Sequence, residues 1–266
     1  MTNRIELNWK LDGFVDEQRY YCSEIPIDPL NLPTPKAVLA GDARGCIDTE
    51  IETGKTYYIV VSSVRNSVEK LSHSVTIVTD NYEKYTAFFK LDNLLDKKGG
   101  ASLIPKGTAI ISSGAAYFDG AESWLERPDT SATTFSDDLT LECEFKCARI
   151  GAHNNYQALI DNFHYEGWQI GLTPNGSVYL YFNNPNVYPI VSPNLYSDGN
   201  WHKLKWTRNK GLNCLFVNDV LVGTYNDSRQ FSTQRYVAIG AQVANRNSNY
   251  DFKGWIKNVG YSKQVL

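Results

Sequence analysis

The segment SDGNWHKLKWTRNKGLNCLFVNDVLVGT, residues 197–224, carries the clearest strand and turn pattern in the chain. In a strand, successive side chains of its segment WHKLKWTR would point to opposite faces. Histidine, leucine and the second tryptophan would then share one face and the lysines the other, as in a half-buried strand. The segment LNCLFV is rich in bulky and β-branched residues, which favour a second strand. Asn218 and Asp219 then supply the residues of a two-residue turn. The stretch therefore predicts antiparallel strands joined by tight turns.

The order of these parts resembles the laminin G and concanavalin A-like sandwich family. Its motifs are Trp-His after a turn, an apolar strand, and then Val-Asn-Asp-Val. Further matching motifs follow the same order along the chain, namely FDG at 118–120, LTLECEFKC at 139–147, YVAIG at 236–240 and FKGWIKNV at 252–259. The resemblance covers about residues 85–266, and it implies a jelly-roll β-sandwich of two antiparallel sheets packed face to face.

Composition also favours an all-β protein. The chain has 266 residues, 42% of them hydrophobic and 13% aromatic, which is enough for one large or two ordinary domains. The net charge is −3 and no basic block occurs, so nucleic acid is not an expected partner. No apolar run is long enough to span a membrane, and the N-terminus enters a strand-like pattern without a secretory signal. We therefore expect that the protein is synthesised in a bacterial host cytoplasm and does not insert into a membrane.

The N-terminal part resembles a fibronectin type III module over about residues 3–80. Trp9 on an early strand and GKTYY at 54–58 carry the resemblance, and IDPLNLPTP is similar to fibronectin-like modules of bacteriophage tail proteins. Trp9, Tyr20 and Tyr58 are expected to fill its core. No residues remain for the module's first edge strand, so the sandwich is predicted to be incomplete, with an edge that is open or that pairs with another segment or subunit. The predicted domains are residues 1–80 and 81–266.

The five cysteines are Cys22, Cys46, Cys143, Cys147 and Cys214. Cys143 and Cys147 are about 13 Å apart along one strand, too far to bond each other, and are expected to act as small core residues. Cys22 and Cys46 could be bridged, although the absence of a secretory signal favours a reduced pair.

No catalytic residues are predicted. Glycosidases of this fold place two carboxylates on one sheet face, and Glu142 and Glu144 are the nearest such pair. The residues around them do not match the hydrolase motif, so they are expected to be polar residues on the solvent face. We find no supported Ser-His-Asp arrangement and no phosphate-binding glycine loop.

No cofactor is expected, with Ca²⁺ as the one exception to consider. Laminin G-like domains often bind one Ca²⁺ at the rim of the sandwich, and calcium prefers oxygen ligands. Asp161, after a short apolar strand, and Asp251, before the closing strand, are the candidate ligands. The alternative is that both lie in solvated loops.

Two aromatic segments are candidates for carbohydrate or surface binding. The predicted loop at residues 183–196, NNPNVYPIVSPNLY, combines two tyrosines with several asparagines. A second segment, residues 154–168, also combines asparagines with aromatic residues. Aromatic side chains beside amide groups suit the binding of a sugar ring. The alternative is that these segments pack their own aromatics. The candidate residues are Tyr156, His164, Tyr165, Trp168, Tyr188 and Tyr196.

The resemblances together favour a non-enzymatic structural or adhesion component of a tailed bacteriophage virion. It would belong to the tail, baseplate, fibre or capsid decoration, with other virion proteins and copies of itself as partners. A host-surface carbohydrate is a further expected partner, and the N-terminal half is expected to dock onto the particle. The alternatives are a glycan hydrolase or depolymerase of the concanavalin A-like fold and a free lectin-like module.

Overall fold

The computed structural model shows two compact units, Met1–Tyr82 and Glu83–Leu266. The structure describes residues 4–79, 82–128, 138–147, 155–162, 167–183, 186–231, 237–242 and 250–266. These residues are built from β-strands, and every strand pairing among them is antiparallel. None of the described segments forms a helix with the length and apolarity that a membrane crossing requires.

The first unit contains a two-stranded sheet and a larger sheet. Its strands β1 to β7 are Ile5–Asn8, Glu17–Ser23, Ala37–Ala40, Gly45–Asp48, Thr56–Arg65, Val68–Leu71 and Val75–Val78. Strands β1 and β4 form the small sheet; β3, β2, β5 and β6 follow one another in the larger one, where β7 also pairs with β5. Within residues 4–79, β4 is the one strand that pairs with β1. The fibronectin-like assignment of this unit stays a prediction.

A small apolar core lies between these sheets. It is formed by Ile5, Tyr20, Ile51, Tyr57 and Ile59. The expectation for Tyr20 is confirmed, but that for Tyr58 is wrong, because successive residues of β5 point to opposite faces and Tyr57 is the one that faces this core. Trp9 is half-buried and donates its indole N–H to Gln18 Oε1 at 2.6 Å.

All five cysteines are free thiols. Cys143 and Cys147 are buried in the core of the second unit, as expected. Burial raises the pKa of the Cys147 thiol to about 12, so it remains protonated at neutral pH.

The second unit contains two large sheets. Its strands β8 to β22 are Ala87–Phe89, Ile104–Lys106, Ile110–Ser112, Ala115–Asp119, Trp124–Arg127, Leu139–Lys146, Gln157–Asn162, Trp168–Leu172, Ser177–Phe182, Val187–Leu195, Trp201–Asn209, Leu212–Val217, Val220–Asn226, Val237–Ile239 and Lys253–Ser262. One sheet has eight strands in the order β10-β11-β22-β13-β18-β19-β20, with β8 also on β22. The other has seven, in the order β17-β16-β15-β14-β21-β12-β9. Residues of both contribute to one large core, so this unit is the predicted sandwich.

The stretch at residues 197–224 folds as predicted. His202, Leu204 and Trp206 of β18 are buried, while Trp201 at the start of the strand remains 38% exposed. Asn218 and Asp219 have φ values of 52° and 61°, as a tight hairpin turn requires. The local pattern therefore determined both strands and the turn that joins β19 to β20.

The prediction of a loop at residues 183–196 is wrong, because most of this segment forms β17. Pro189 and Pro193 disfavour a central strand, since proline cannot donate to a ladder of hydrogen bonds. The strand lies at one end of the seven-stranded sheet, where half of its backbone groups need no strand partner. An edge position therefore tolerates the two prolines.

Candidate functional site

The outer face of the seven-stranded sheet carries a row of five residues, four of them polar, across five neighbouring strands, and we call it the polar row. Glu126 of β12 lies opposite Ala238 of β21, which lies opposite Asp161 of β14. Asp161 in turn lies opposite Gln169 of β15, and Gln169 lies opposite Tyr181 of β16. Side chains next to these along each strand point into the core, because strand residues alternate between faces. The sheet thus gathers residues that are far apart in the sequence into one line.

Four tyrosines, Tyr156, Tyr179, Tyr181 and Tyr188, pack together at the end of this row, and we call them the tyrosine cluster. The ring centroid of Tyr188 is 4.8 Å from that of Tyr181, 5.1 Å from Tyr156 and 5.4 Å from Tyr179. Tyr156 also contacts Tyr179 edge to face at 5.3 Å. Tyr188 is 44% exposed, whereas Tyr179 is fully buried. The cluster therefore presents an aromatic surface on a packed base.

A chain of hydrogen bonds lies beneath the exposed rings. The Tyr179 hydroxyl donates to Gln169 Oε1, and Gln169 Nε2 donates to Asp161 Oδ1 at 2.9 Å. All three residues are at most 3% exposed. Such a satisfied buried network fixes the orientation of its members. The base of the tyrosine cluster is therefore held in place before any ligand arrives.

Gly171 makes room for this arrangement. It lies opposite Tyr179 on the neighbouring strand. A Cβ atom at Gly171 would be 2.8 Å from the Tyr179 hydroxyl oxygen and 2.0 Å from the carbonyl oxygen of Gln157. Any larger residue would have to displace the backbone of β14 as well as the Tyr179 ring, so the site depends on glycine here.

The structure divides the predicted sugar-binding residues into three groups. Tyr156 and Tyr188 belong to the tyrosine cluster. Trp168 and Tyr196 instead belong to the core: Trp168 is fully buried with its ring 5.2 Å from that of Trp206, and Tyr196 packs edge to face on His202 at 5.1 Å. Neither offers a surface to a sugar, because each occupies an inward position. His164 and Tyr165 lie outside the described residues.

The two predicted calcium ligands each accept a hydrogen bond from the protein. Asp161 accepts from Gln169, and Asp251 accepts from the backbone N–H of Glu122 at 2.6 Å. Both are buried, so neither lies in the solvated loop considered as the alternative. In the parts of the chain that the structure describes, no three His, Cys, Asp or Glu side chains form a group that could hold a metal ion. The Ca²⁺ site stays a prediction.

Glu142 and Glu144 lie on the outer face of the eight-stranded sheet, opposite Lys205 and Lys203. The expectation that both face solvent is wrong for Glu142, which is buried and accepts a hydrogen bond from the Tyr85 hydroxyl at 2.5 Å. Burial and this carboxylate raise the pKa of the Tyr85 phenol well above its ordinary range. Glu144 pairs with Lys257 at 3.2 Å. These contacts occupy both carboxylates.

Sequence reasoning missed Tyr179, Tyr181 and Gln169. The segment SVYLYF at residues 177–182 does contain the signal, because its tyrosines alternate with core-facing valine, leucine and phenylalanine. That alternation predicts that Tyr179 and Tyr181 share the outer face. It does not reveal that Tyr188 and Tyr156 join them, since this depends on the order of strands in the sheet.

Alkaline titration should report on the tyrosine cluster. Burial first, and neighbouring phenols second, raise the pKa of Tyr179 and Tyr188 above the ordinary value of about 10. The folded state favours the protonated phenols, so their contribution to stability is present below about pH 10 and is lost as pH rises towards the folded-state pKa values. We expect the phenolate absorbance of the buried Tyr179 to appear only as the unit unfolds, and that of Tyr188 to appear later than that of an ordinary exposed tyrosine. Tyr188→Phe should remove one late-titrating group, and early titration without unfolding would contradict this picture.

Comparison with solved structures supports the sandwich fold of the second unit. Domain 4 of AbnA, a GH43 extracellular arabinanase from Geobacillus stearothermophilus solved with arabinotriose, is 19% identical with a TM-score of 0.57, covering 70% of this chain and 95% of that chain. The binding domain of Paraclostridial Mosquitocidal Protein 1 is 12% identical with a TM-score of 0.57, covering 70% and 50% respectively. A Trypanosoma rangeli sialidase mutant is 9% identical with a TM-score of 0.55, covering 79% and 41%.

The chain thus spans half or less of the second and third of these structures. No curated protein sequence matches it. The sequence profile of one family, described as the concanavalin A-like lectin/glucanases superfamily, matches residues 119–266, which is more than half of the chain. Most strands of both large sheets fall within that range. On this evidence the chain belongs to the concanavalin A-like lectin/glucanases superfamily.

Proposed function

We propose that this chain is a non-enzymatic glycan-binding protein and that the tyrosine cluster is its contact surface. The observation that carries the proposal is the exposed Tyr188 ring beside Tyr156, above the buried chain of Tyr179, Gln169 and Asp161. Aromatic rings with a polar handle suit the apolar faces and hydroxyl groups of a sugar. A fixed base reduces the entropy lost on binding, because fewer side chains must be ordered.

The related structures support a carbohydrate ligand. The arabinanase domain was solved with arabinotriose, and the sialidase mutant is described as displaying trans-sialidase activity. The mosquitocidal protein domain is described as a binding domain. These relatives share the fold with this chain at low identity, so the sugar that it binds has to be found by experiment.

A glycan array followed by calorimetry on the best ligand tests the proposal. Tyr188→Ala should weaken binding about tenfold, corresponding to about 1.4 kcal/mol, because the exposed stacking surface is lost. Phe14→Ala provides a matched control, since Phe14 is an exposed aromatic residue of the other unit at 75% exposure. If both variants bind like the parent protein, or if the parent binds no glycan, the tyrosine cluster is not a sugar site.

A glycan hydrolase is the second candidate, and one observation favours it. Glu126 and Asp161 share the polar row two strands apart, which places their backbones about 10 Å apart, just above the carboxyl separation of an inverting glycosidase. Inverting glycosidases separate their carboxyl groups by about 6.5–9.5 Å. However, Asp161 is 1% exposed and accepts a hydrogen bond from Gln169, which leaves little room for a substrate or a water molecule beside it. We therefore propose that the row supports binding without catalysis.

Measurement of new reducing ends distinguishes these two functions. The parent protein incubated with the glycans it binds should release none. Release that disappears in Glu126→Gln, while that variant still binds the glycan, would establish the hydrolase and overturn the binding-only proposal.

We further propose that this glycan-binding protein is a component of a tailed bacteriophage virion. Two observations support this proposal. Residues 3–80 resemble phage tail modules, and β1 pairs with β4 on one edge while its other edge pairs with no strand within residues 4–79. An unpaired edge can accept a strand from another chain. Other virion proteins, or copies of this chain, would provide that strand.

Mass spectrometry of purified phage particles from the source culture tests the virion proposal. The chain should be found among the particle proteins, and deletion of residues 1–80 should abolish its incorporation. Retention of the shortened chain would show that the first unit is not the dock. Absence of the full chain from the particles would overturn the virion proposal and leave the glycan-binding proposal to its own test.

A further inference from the structure

A second row of residues crosses the outer face of the eight-stranded sheet. Tyr117 of β11 lies opposite Trp255 of β22, which lies opposite Lys146 of β13, and Lys146 lies opposite Trp201 of β18. We call Tyr117, Trp255, Lys146 and Trp201 the lysine–aromatic stripe. It crosses four neighbouring strands and belongs to a different sheet from the tyrosine cluster.

The rings of the stripe are held in place by their neighbours and remain accessible. The centroids of Tyr117 and Trp255 are 4.9 Å apart, and Lys257 Nζ lies 4.3 Å above the ring of Trp201. Trp201 is 38% exposed, and Tyr117 and Trp255 are half-buried. Inward residues of the same strands, such as Phe118 and Ile256, fill the core. The aromatic residues of the stripe are therefore not needed to fill that core.

Positive charge is concentrated around these rings. Lys146 lies within the stripe, and Lys253 and Lys257 flank Trp255 on the same face of β22. Among the residues that the structure describes, neither Lys146 nor Lys253 forms an ion pair, whereas Lys257 pairs with Glu144. Asp119 lies opposite Lys253 on β11, where its carboxylate accepts hydrogen bonds from Thr108, Ser123 and the Ala121 N–H and forms no ion pair with Lys253 among the described residues. The face therefore offers two lysines that form no ion pair among the described residues, in a protein whose net charge is −3.

We propose that the lysine–aromatic stripe is a second carbohydrate site, which binds an extended acidic polysaccharide. Trp255 and Trp201 are two strands apart, about 10 Å, with Lys146 between them. Linked sugar rings can stack on the two indoles while the lysine between them meets a carboxylate. Lys253 extends the cationic surface along β22 for the next acidic group. This site goes beyond the proposed function, because it uses another sheet and selects another class of ligand.

The charge pattern separates the two sites. The row beside the tyrosine cluster carries the acids Glu126 and Asp161, which disfavour an anionic ligand there. The lysine–aromatic stripe has the opposite sign. Acidic and neutral glycans should therefore distinguish the two faces of the sandwich.

Binding of the full chain to polygalacturonate, hyaluronan and heparin, measured by calorimetry at low and moderate salt, tests the proposal. At least one of them should bind, more weakly at higher salt because ionic contacts are screened. Fully methyl-esterified polygalacturonate, which lacks the charge, provides the neutral comparison for the first polymer. Lys146→Gln with Lys253→Gln should weaken binding at least tenfold, and Trp201→Ala should also weaken it. Lys10→Gln with Lys210→Gln removes the same charge from exposed positions elsewhere and should leave binding intact.

Several results would overturn the second site. These are the absence of binding to all three acidic polymers, equal binding of polygalacturonate and its neutral ester, and an equal loss in the Lys10 and Lys210 control. A loss in Tyr188→Ala without a loss in the Lys146 and Lys253 variant would assign the polysaccharide to the tyrosine cluster. Tighter binding of single-stranded oligothymidylate, lost in the same lysine variant, would identify a nucleic-acid surface instead.

Discussion

Trp168→Ala should lower the free energy of unfolding of the second unit by about 3–5 kcal/mol, as expected for a buried tryptophan that leaves a cavity. Trp168 is fully buried, and its ring meets that of Trp206 edge to face at 5.2 Å. The substitution would remove this contact between the two sheets. Chemical denaturation followed by circular dichroism measures the loss.

Trp201→Ala is the matched control, because Trp201 lies on the outer face and is 38% exposed. It should cost less than about 1 kcal/mol, in the range of surface substitutions. Trp168→Phe should recover much of the lost stability and keep glycan binding. If Trp168→Ala instead reduced glycan binding without reducing stability, Trp168 would be a ligand contact and its assignment to the core would be wrong.

Asp96→Ala should destabilise the same unit by about 3–5 kcal/mol, because it leaves the buried Arg127 without its counter-ion. The side chains of Arg127 and Asp96 are 2% and 1% exposed, and Nη2 lies 3.3 Å from Oδ2. Asp96 Oδ1 also accepts the backbone N–H groups of Phe88 and Lys98, at 3.0 and 2.9 Å. The substitution therefore removes one ion pair and two hydrogen bonds from backbone N–H groups. Thermal and chemical denaturation should both show the loss of stability.

Asp92→Ala removes a comparable pair at the surface and serves as the control. Asp92 contacts Lys97 at 2.9 Å, with side chains 38% and 23% exposed. Exposed pairs contribute about 0–1 kcal/mol, so little change is expected. A double variant, Asp96→Leu with Arg127→Met, should be milder than Asp96→Ala, because it leaves no unpaired buried charge. Equal effects of Asp92→Ala and Asp96→Ala would show that burial does not set the importance of the pair.

Neither Arg127 nor Asp96 stands out in the sequence. Arg127 follows Leu125 by two residues in WLER, so both face the core, but a charged residue at such a position predicts exposure. Asp96 occurs in a polar segment that predicts a loop. The carboxylate that neutralises Arg127 lies 31 residues earlier in the chain. Local pattern cannot identify such a partner.

In the candidate site, too, local sequence pattern predicts some features and leaves others to the tertiary structure. The sequence predicts Tyr188 and Tyr156 as candidates because each lies in an aromatic segment with nearby asparagines. Trp168 and Tyr196 share that composition but point inward, so composition alone could not separate surface from core. The alternation in LTLECEFKC predicts that Glu142 faces solvent, whereas Tyr85, which precedes β8, covers it and donates a hydrogen bond to it.

Local sequence is enough to predict the all-β class, the hairpin turn at Asn218 and Asp219, and the resemblance to the sandwich family, because alternation and turn chemistry act over a few residues. Contacts between side chains of different strands or segments follow from the tertiary structure. They include the tyrosine cluster, the lysine–aromatic stripe and the buried pair of Asp96 and Arg127. The pattern of one strand specifies which face a residue takes, whereas the order and register of neighbouring strands arise because the whole core has to pack.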